Sequence, residues 1–252
     1  IFHHGFRPGR MKCIVTCEHA SNRVPRHFGN LFHGKEKILS SHQAYDPGAA
    51  GLARRIAKQF QSSVHLGAVT RLLIDLNRSP SNRKTLYTKY SRELQQSDLE
   101  LLYCKYYLPY RELVEREVGR FVARGKPVLH ISVHSFSPVK GGKVRKADVG
   151  LLYDPVRRNE KAICCHLVAL LQEEMESLRV RRNYPYLGKT DGFTSFLRKK
   201  YSEKQYAGIE IELNLTIFSL ENKKKKKVEE VLLAGIRNIL RLQDFSQLAK
   251  IL

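Results

Sequence analysis

The sequence predicts an α/β fold, a mostly parallel sheet with helices on both faces, and three observations carry that prediction. Short β-branched runs alternate along the chain with longer segments of helical apolar spacing. Several of the runs end in polar clusters, the pattern of strands whose carboxyl ends open into a site. The 252 residues, 42% of them hydrophobic, can bury one sizeable core, and neither an internal repeat nor a domain-splitting linker is visible. Residues 11–252 are therefore expected to form a single domain. Residues 1–10 (IFHHGFRPGR) are basic, lack an apolar stretch and precede a methionine, so they read as an extension or tag remnant rather than a signal peptide.

In chain order, residues 12–17 (KCIVTC) form a buried strand that delivers Glu18-His19-Ala20-Ser21-Asn22 into a loop. Residues 26–44 show no period. Asp46-Pro47-Gly48 opens a helix, with Asp46 as N-cap and Pro47 in the first turn. Its apolar positions Ala49, Leu52, Ala53, Ile56, Ala57 and Phe60 keep helical spacing. Residues 64–69 read as a second strand, and 71–76 as a third apolar run, also a strand, whose end carries Asn77-Arg78-Ser79-Pro80. Residues 94–122 are helical with a break near Pro109. Residues 128–138 (VLHISVHSFSP) are the central strand, in which His130 lies deep and His134-Ser135 stands where the strand opens. A basic glycine-bearing loop (141–146), a strand (149–153), a helix (160–178), a loop (180–192) and a helix (193–200) follow. In residues 207–214 (AGIEIELN) Glu210 and Glu212 share one face of a strand. The Lys223–Lys227 run reads as a solvated loop before a terminal helix at 228–242.

Charge and cysteine usage bound the class. The formal net charge is +21 and the pI about 9.9, which favours anionic ligands or surfaces. The basic residues are spread along the chain without a nucleic-acid motif, so a solvated basic surface attracting anionic substrates is the preferred reading and a nucleic-acid partner the lesser one. Five cysteines without a CxxC pair fit a reduced, cytoplasmic protein. No apolar run approaches the ~20 residues of a membrane helix.

Taken together, Glu18-His19, Asn77-Arg78, His134-Ser135 and Glu212-Leu213-Asn214 are the parts a catalytic zinc site needs: imidazoles, a carboxylate and cations. Spacing alone is weak support, because no HExxH-type helix is present. The segments CEHASNRVP, YDPGAAGLARRIA, TRLLIDLNRSP, HISVHSFSP, DVGLLYD, RRNYPYLGKTDG and GIEIELN, in that order, resemble the N-formylglutamate amidohydrolase family over nearly all of residues 11–220. That resemblance implies a three-layer α/β/α sandwich similar to the zinc carboxypeptidases and aspartoacylases. It implies a zinc-dependent hydrolase acting on the amide of a small N-acyl, formyl-type acidic amino acid.

The resemblance also assigns roles. Asn77-Arg78 looks like the pair that binds the substrate carboxylate, Arg71 like the arginine that polarises the scissile carbonyl, and Glu212 like the general base. Ser135, Tyr186 and Asp191 are further candidates for lining the substrate pocket. His19 and His134 are the candidate zinc ligands. The relatives' HxxE motif is missing, since Asn22 stands three residues after His19, so the third ligand falls to Asp46, with Glu18 second. Asp46 remains open between ligand and helix cap, and Glu212 is preferred over Glu210 on the resemblance alone. Two rivals stay in view: a peptidase acting on cell-wall or peptide substrates, and a basic nucleic-acid-binding protein on a decayed hydrolase fold.

Overall fold

The computed structural model describes residues 11–219 and 222–251, so the 1–10 extension lies outside the described residues. A six-stranded sheet runs through the middle, in the order β2-β1-β3-β8-β6-β7. The strands are β1 (Lys12–Cys17), β2 (Ser63–Leu66), β3 (Val128–Phe136), β6 (Val149–Leu152), β7 (Val180–Arg182) and β8 (Tyr206–Asn214). All neighbours pair in parallel except β6 with β8, which are antiparallel. A separate two-stranded hairpin joins β4 (Val139–Lys140) to β5 (Lys143–Val144).

The helices are α1 (Glu36–Leu39), α2 (Ala49–Phe60), α3 (Arg83–Leu86), α4 (Gln96–Leu102), α5 (Leu108–Val122), α6 (Arg158–Glu174), α7 (Phe193–Lys200), α8 (Leu215–Ser219) and α9 (Asn222–Leu240). Helices α2, α6 and α9 cover one face of the sheet; α5 and α7 cover the other. The sandwich therefore has three layers. Strands β3 and β8 are buried at every residue although polar residues alternate with apolar ones along them, because helices cover both faces of the sheet. None of the described helices is long and apolar enough to cross a membrane, and all five cysteines are free thiols.

Four expectations need correction. The run at 71–76 is not a strand. Leu72, Leu73, Ile74 and Leu76 are buried in a second cluster with Phe28, Phe32, Leu102 and Tyr107. Side chains, not a ladder, meet carbonyls of this run: Ser91 Oγ donates to Leu73 O (2.6 Å) and Arg111 Nη1 to Leu76 O (3.2 Å). An apolar run records burial, and only the hydrogen-bond partners decide whether it is a strand. Second, the break before α5 is a π-helical stretch at Tyr103–Tyr107, continuous with α4 and α5, and Pro109, which has no N–H to donate back into that stretch, sits in the turn that follows it.

Third, Lys223–Lys227 is not a loop but the first turns of α9, where Lys227 pairs with Glu174 and Lys226 approaches Glu230 (3.9 Å). Fourth, Asp46 does not cap α2. Gly48 holds the N-cap position at φ 83°, a conformation suited to glycine, and a Cβ there would meet the Phe218 ring at 2.3 Å. The Asp46 side chain is thereby free to turn into the sheet's open end.

Candidate active site

Strand alternation sorts the site from the core. Even-numbered residues of β1, β3 and β8 face the α5–α7 layer, and register aligns Thr16 with Ser132 and Glu210, then His134 with Glu212. At the amino ends this face is apolar, with Ile14, Val128 and Tyr206 packed on Val114, Val118, Phe193 and Leu197. One step up, His130 is fully buried between the hydroxyls of Thr16 (2.8 Å) and Tyr206 (2.7 Å). Burial lowers its pKa to about 4, so it is a neutral core histidine. At the carboxyl ends stand Glu18, His134, Glu210 and Glu212.

Here His19, Asp46 and His134, all buried, offer ligand atoms within 4.8 Å of one another. His134 Nδ1 lies 2.8 Å and His19 Nδ1 3.4 Å from Asp46 Oδ2. The outer nitrogens are held from behind: His19 Nε2 by Asp75 Oδ1 (2.7 Å), His134 Nε2 by Ser132 Oγ (2.9 Å) and Glu18 Oε2 (3.2 Å). A nitrogen, nitrogen, oxygen set whose imidazoles are braced by carboxylates suits a divalent cation such as zinc. Asp46 Oδ1 is buried without a hydrogen bond, Arg71 Nη1 standing 3.5 Å away, which also fits an acceptor kept for a cation. Glu18 is therefore placed behind His134 rather than beside Asp46. Its carboxyl is held below the usual range; burial opposes this, but the hydrogen bond and charge of His134 prevail.

Around the trio lies a cavity of about 160 Å³ that Arg71, Asn77, Arg78, Ser135, Tyr186, Asp191, Glu210 and Glu212 all line. Arg71 donates to Asp75 (3.0 Å). Arg78 donates to the Asp191 carbonyl, and Asp191 in turn accepts from Ser79 N (3.1 Å). Asn77 Oδ1 accepts from Phe193 N (2.7 Å) at the start of α7, which leaves its amide N–H groups for a ligand. Asn77-Arg78 thus sits on a clasped loop and not at a strand end. Ser135 N donates to Asp46 (3.3 Å) while its Oγ is buried without a partner.

The two glutamates of β8 reach the same cavity in different states. Glu210 accepts from Thr194 Oγ1 (2.7 Å). Glu212 is 4% exposed, and its Oε2 has no partner. Burial, with Asp46 and Glu210 adding to it against the pull of His134, raises its pKa to about 7. Sequence reasoning missed Asp75, which binds His19 and Arg71 together. The signal was present in RLLIDLNR, because a carboxylate inside a buried apolar run requires partners and two arginines flank it. It also missed His42, Ser132 and Lys140.

A family model described as N-formylglutamate amidohydrolase matches residues 11–218. Among solved structures, the gene product Atu2144 from Agrobacterium tumefaciens is similar at 26% identity, with a TM-score of 0.74 and 92% of each chain covered. N-formylglutamate amidohydrolase from Ralstonia eutropha JMP134 shares the fold at 17% identity and a TM-score of 0.65, over 93% of this chain and 96% of that one. No curated protein matches the chain.

Proposed function

The chain belongs to the N-formylglutamate amidohydrolase family, and from that premise we propose that it is a zinc-dependent hydrolase of small N-acyl, formyl-type acidic amino acids. The observation that carries the reading is the juxtaposition of a His19–Asp46–His134 trio with a buried, unpartnered Glu212 in one cavity. Zinc held by the trio would supply a Lewis acid and a water of lowered pKa.

The chain's own residues do the rest. Glu212 takes the proton of the attacking water and returns it to the leaving amine; burial, which raises its carboxyl above the usual range, suits it to both transfers. Arg71, steadied by Asp75, donates to the acyl oxygen as it gains charge. Arg78 and the amide of Asn77 hold the α-carboxylate, with the Asp191 clasp fixing Arg78 in place. Ser135 and Tyr186 line the space left for the substrate.

The test is direct. The purified protein should carry close to one zinc per chain, lose hydrolysis on chelation and regain it on zinc addition. It should release formate from N-formyl-L-glutamate or N-formyl-L-aspartate faster than from N-formyl derivatives of neutral amino acids. Turnover that survives metal removal, or no turnover of any N-acyl amino acid, would overturn the proposal.

A further inference from the structure

The cavity's outer rim holds polar groups that the mechanism does not use. The β4–β5 hairpin (VKGGKV) stands there, turning through Gly141 and Gly142 at φ 55° and 74°, the positive-φ pair that a two-residue hairpin turn requires. Lys140, in β4, lines the cavity with its ammonium 5.2 Å from the centre of the Tyr186 ring. No carboxylate or other acceptor meets that ammonium among the described residues. Arg145, just past β5, lies over the same ring (5.1 Å) and donates to Tyr186 Oη (3.1 Å). The tyrosine hydroxyl is thereby an acceptor towards Arg145 and keeps its own proton to donate. His42, half-buried, lines the cavity as well and adds a ring N–H to the set.

The inner cations are already engaged. Arg71 is tied to Asp75 and Asp46, and Arg78 to the Asp191 carbonyl. Lys140 is the cavity-lining cation without an anionic partner among the described residues, and it stands on the rim. A strong donor set with nothing to accept from it is the form of a site for an anion.

We propose that Lys140, with Tyr186 Oη and His42, forms a second carboxylate subsite that reads the side-chain carboxylate of the substrate. This inference rests on the amidohydrolase reading above and deepens it: the substrate is a dianion, its α-carboxylate on Arg78 and its side-chain carboxylate under the hairpin. Lys140 and Tyr186 act in specificity and not in the bond-breaking step.

The experiment compares N-formyl-L-glutamate with N-formyl-L-glutamine, which differ only in the distal carboxylate. Lys140 is exposed, so its substitution leaves the core untouched. Lys140→Ala should raise KM for the glutamate substrate about tenfold, the scale of one charge-assisted hydrogen bond at a partly solvated site, while kcat holds. The preference for glutamate over glutamine should shrink by the same factor. Lys140→Arg should retain most of that preference. Lys140→Glu should invert it in favour of N-formyl-L-ornithine, a change that no merely structural role produces. A glutamate-to-glutamine ratio that Lys140→Ala leaves unmoved overturns the subsite while the amidohydrolase reading stands. A wild-type protein that hydrolyses none of these substrates overturns that reading and the subsite with it.

Discussion

On one face of the central sheet, Cys13, Val15, Leu129, Ile131, Val133, Ile209 and Ile211 are packed beneath α2, α6 and α9. On the other, towards the carboxyl ends, the alternate residues of the same strands are Thr16, His130, Ser132, His134, Glu210 and Glu212. The same backbone thus carries a core whose contacts are non-directional and, above the apolar amino ends of the opposite face, a polar layer whose contacts are directional. The apolar face needs only volume and hydrophobicity, so it tolerates exchange within those limits. The polar face is costly unless each group is paired, and along most of its length it is: His130 with two hydroxyls, Ser132 with Glu18, Glu210 with Thr194. At the carboxyl ends the pairing stops. Asp46 Oδ1, Ser135 Oγ and Glu212 Oε2 are buried there without a hydrogen bond, and a substrate and a cation would complete them.

The largest effect that separates the faces should come from the trio. His134→Gln keeps a hydrogen-bonding side chain but removes an imidazole, so bound zinc, measured by elemental analysis, should fall to a small fraction and hydrolysis to background. Full zinc occupancy in that variant would remove His134 from the ligand set.

Next is the pair of glutamates. Glu212→Gln should lower kcat by roughly 10²–10⁴-fold with zinc content unchanged, the usual contribution of a general base. Glu210→Gln, whose carboxylate is engaged with Thr194, should cost far less. The reverse order would mean that the other carboxylate is the base. The pH profile adds a check. Glu212 acts as a base only when ionised, so kcat/KM should rise with pH through its pKa. A divalent cation nearby favours the ionised form, which places that limb below the value of about 7 for the metal-free chain.

Ile131→Ala, on the opposite face, should cost about 2–5 kcal/mol in denaturant unfolding and leave kcat near wild type. If kcat fell a hundredfold in the folded variant, the two faces would not be separable as described. Smaller still is Arg78→Lys, which keeps charge but loses the planar fork; KM for substrates with a free α-carboxylate should rise about tenfold, and amidated analogues should barely respond.

The smallest effect belongs to His130. Its folded pKa of about 4 lies below the ordinary 6.5, so protons bind the unfolded chain more readily. Its contribution to stability is complete above pH 6.5 and is lost as pH falls towards 4. Between pH 6.5 and 5, His130→Gln should therefore lose stability less steeply than wild type in urea melts. Parallel curves would show that His130 does not titrate on unfolding.

What the sequence determined by itself was whatever depends on local pattern. Alternating β-branched and helical segments gave the layered α/β fold, parity within AGIEIELN put Glu210 and Glu212 on one face, and the position of His134 at the end of a buried run placed it at the sheet's opening. What depends on pairing between distant segments stayed hidden. Asp46 looks equally like a helix cap until Gly48 takes that place and the carboxylate meets His134, 88 positions away. Asp75 is one acid in an apolar run until His19 and Arg71 converge on it. Glu210 and Glu212 are indistinguishable in sequence, and only the Thr194 hydroxyl from α7 tells the engaged carboxylate from the unpartnered one. A strand or helix follows from neighbours within a few residues, whereas burial of a charge is settled by partners that only the folded chain brings within hydrogen-bonding distance.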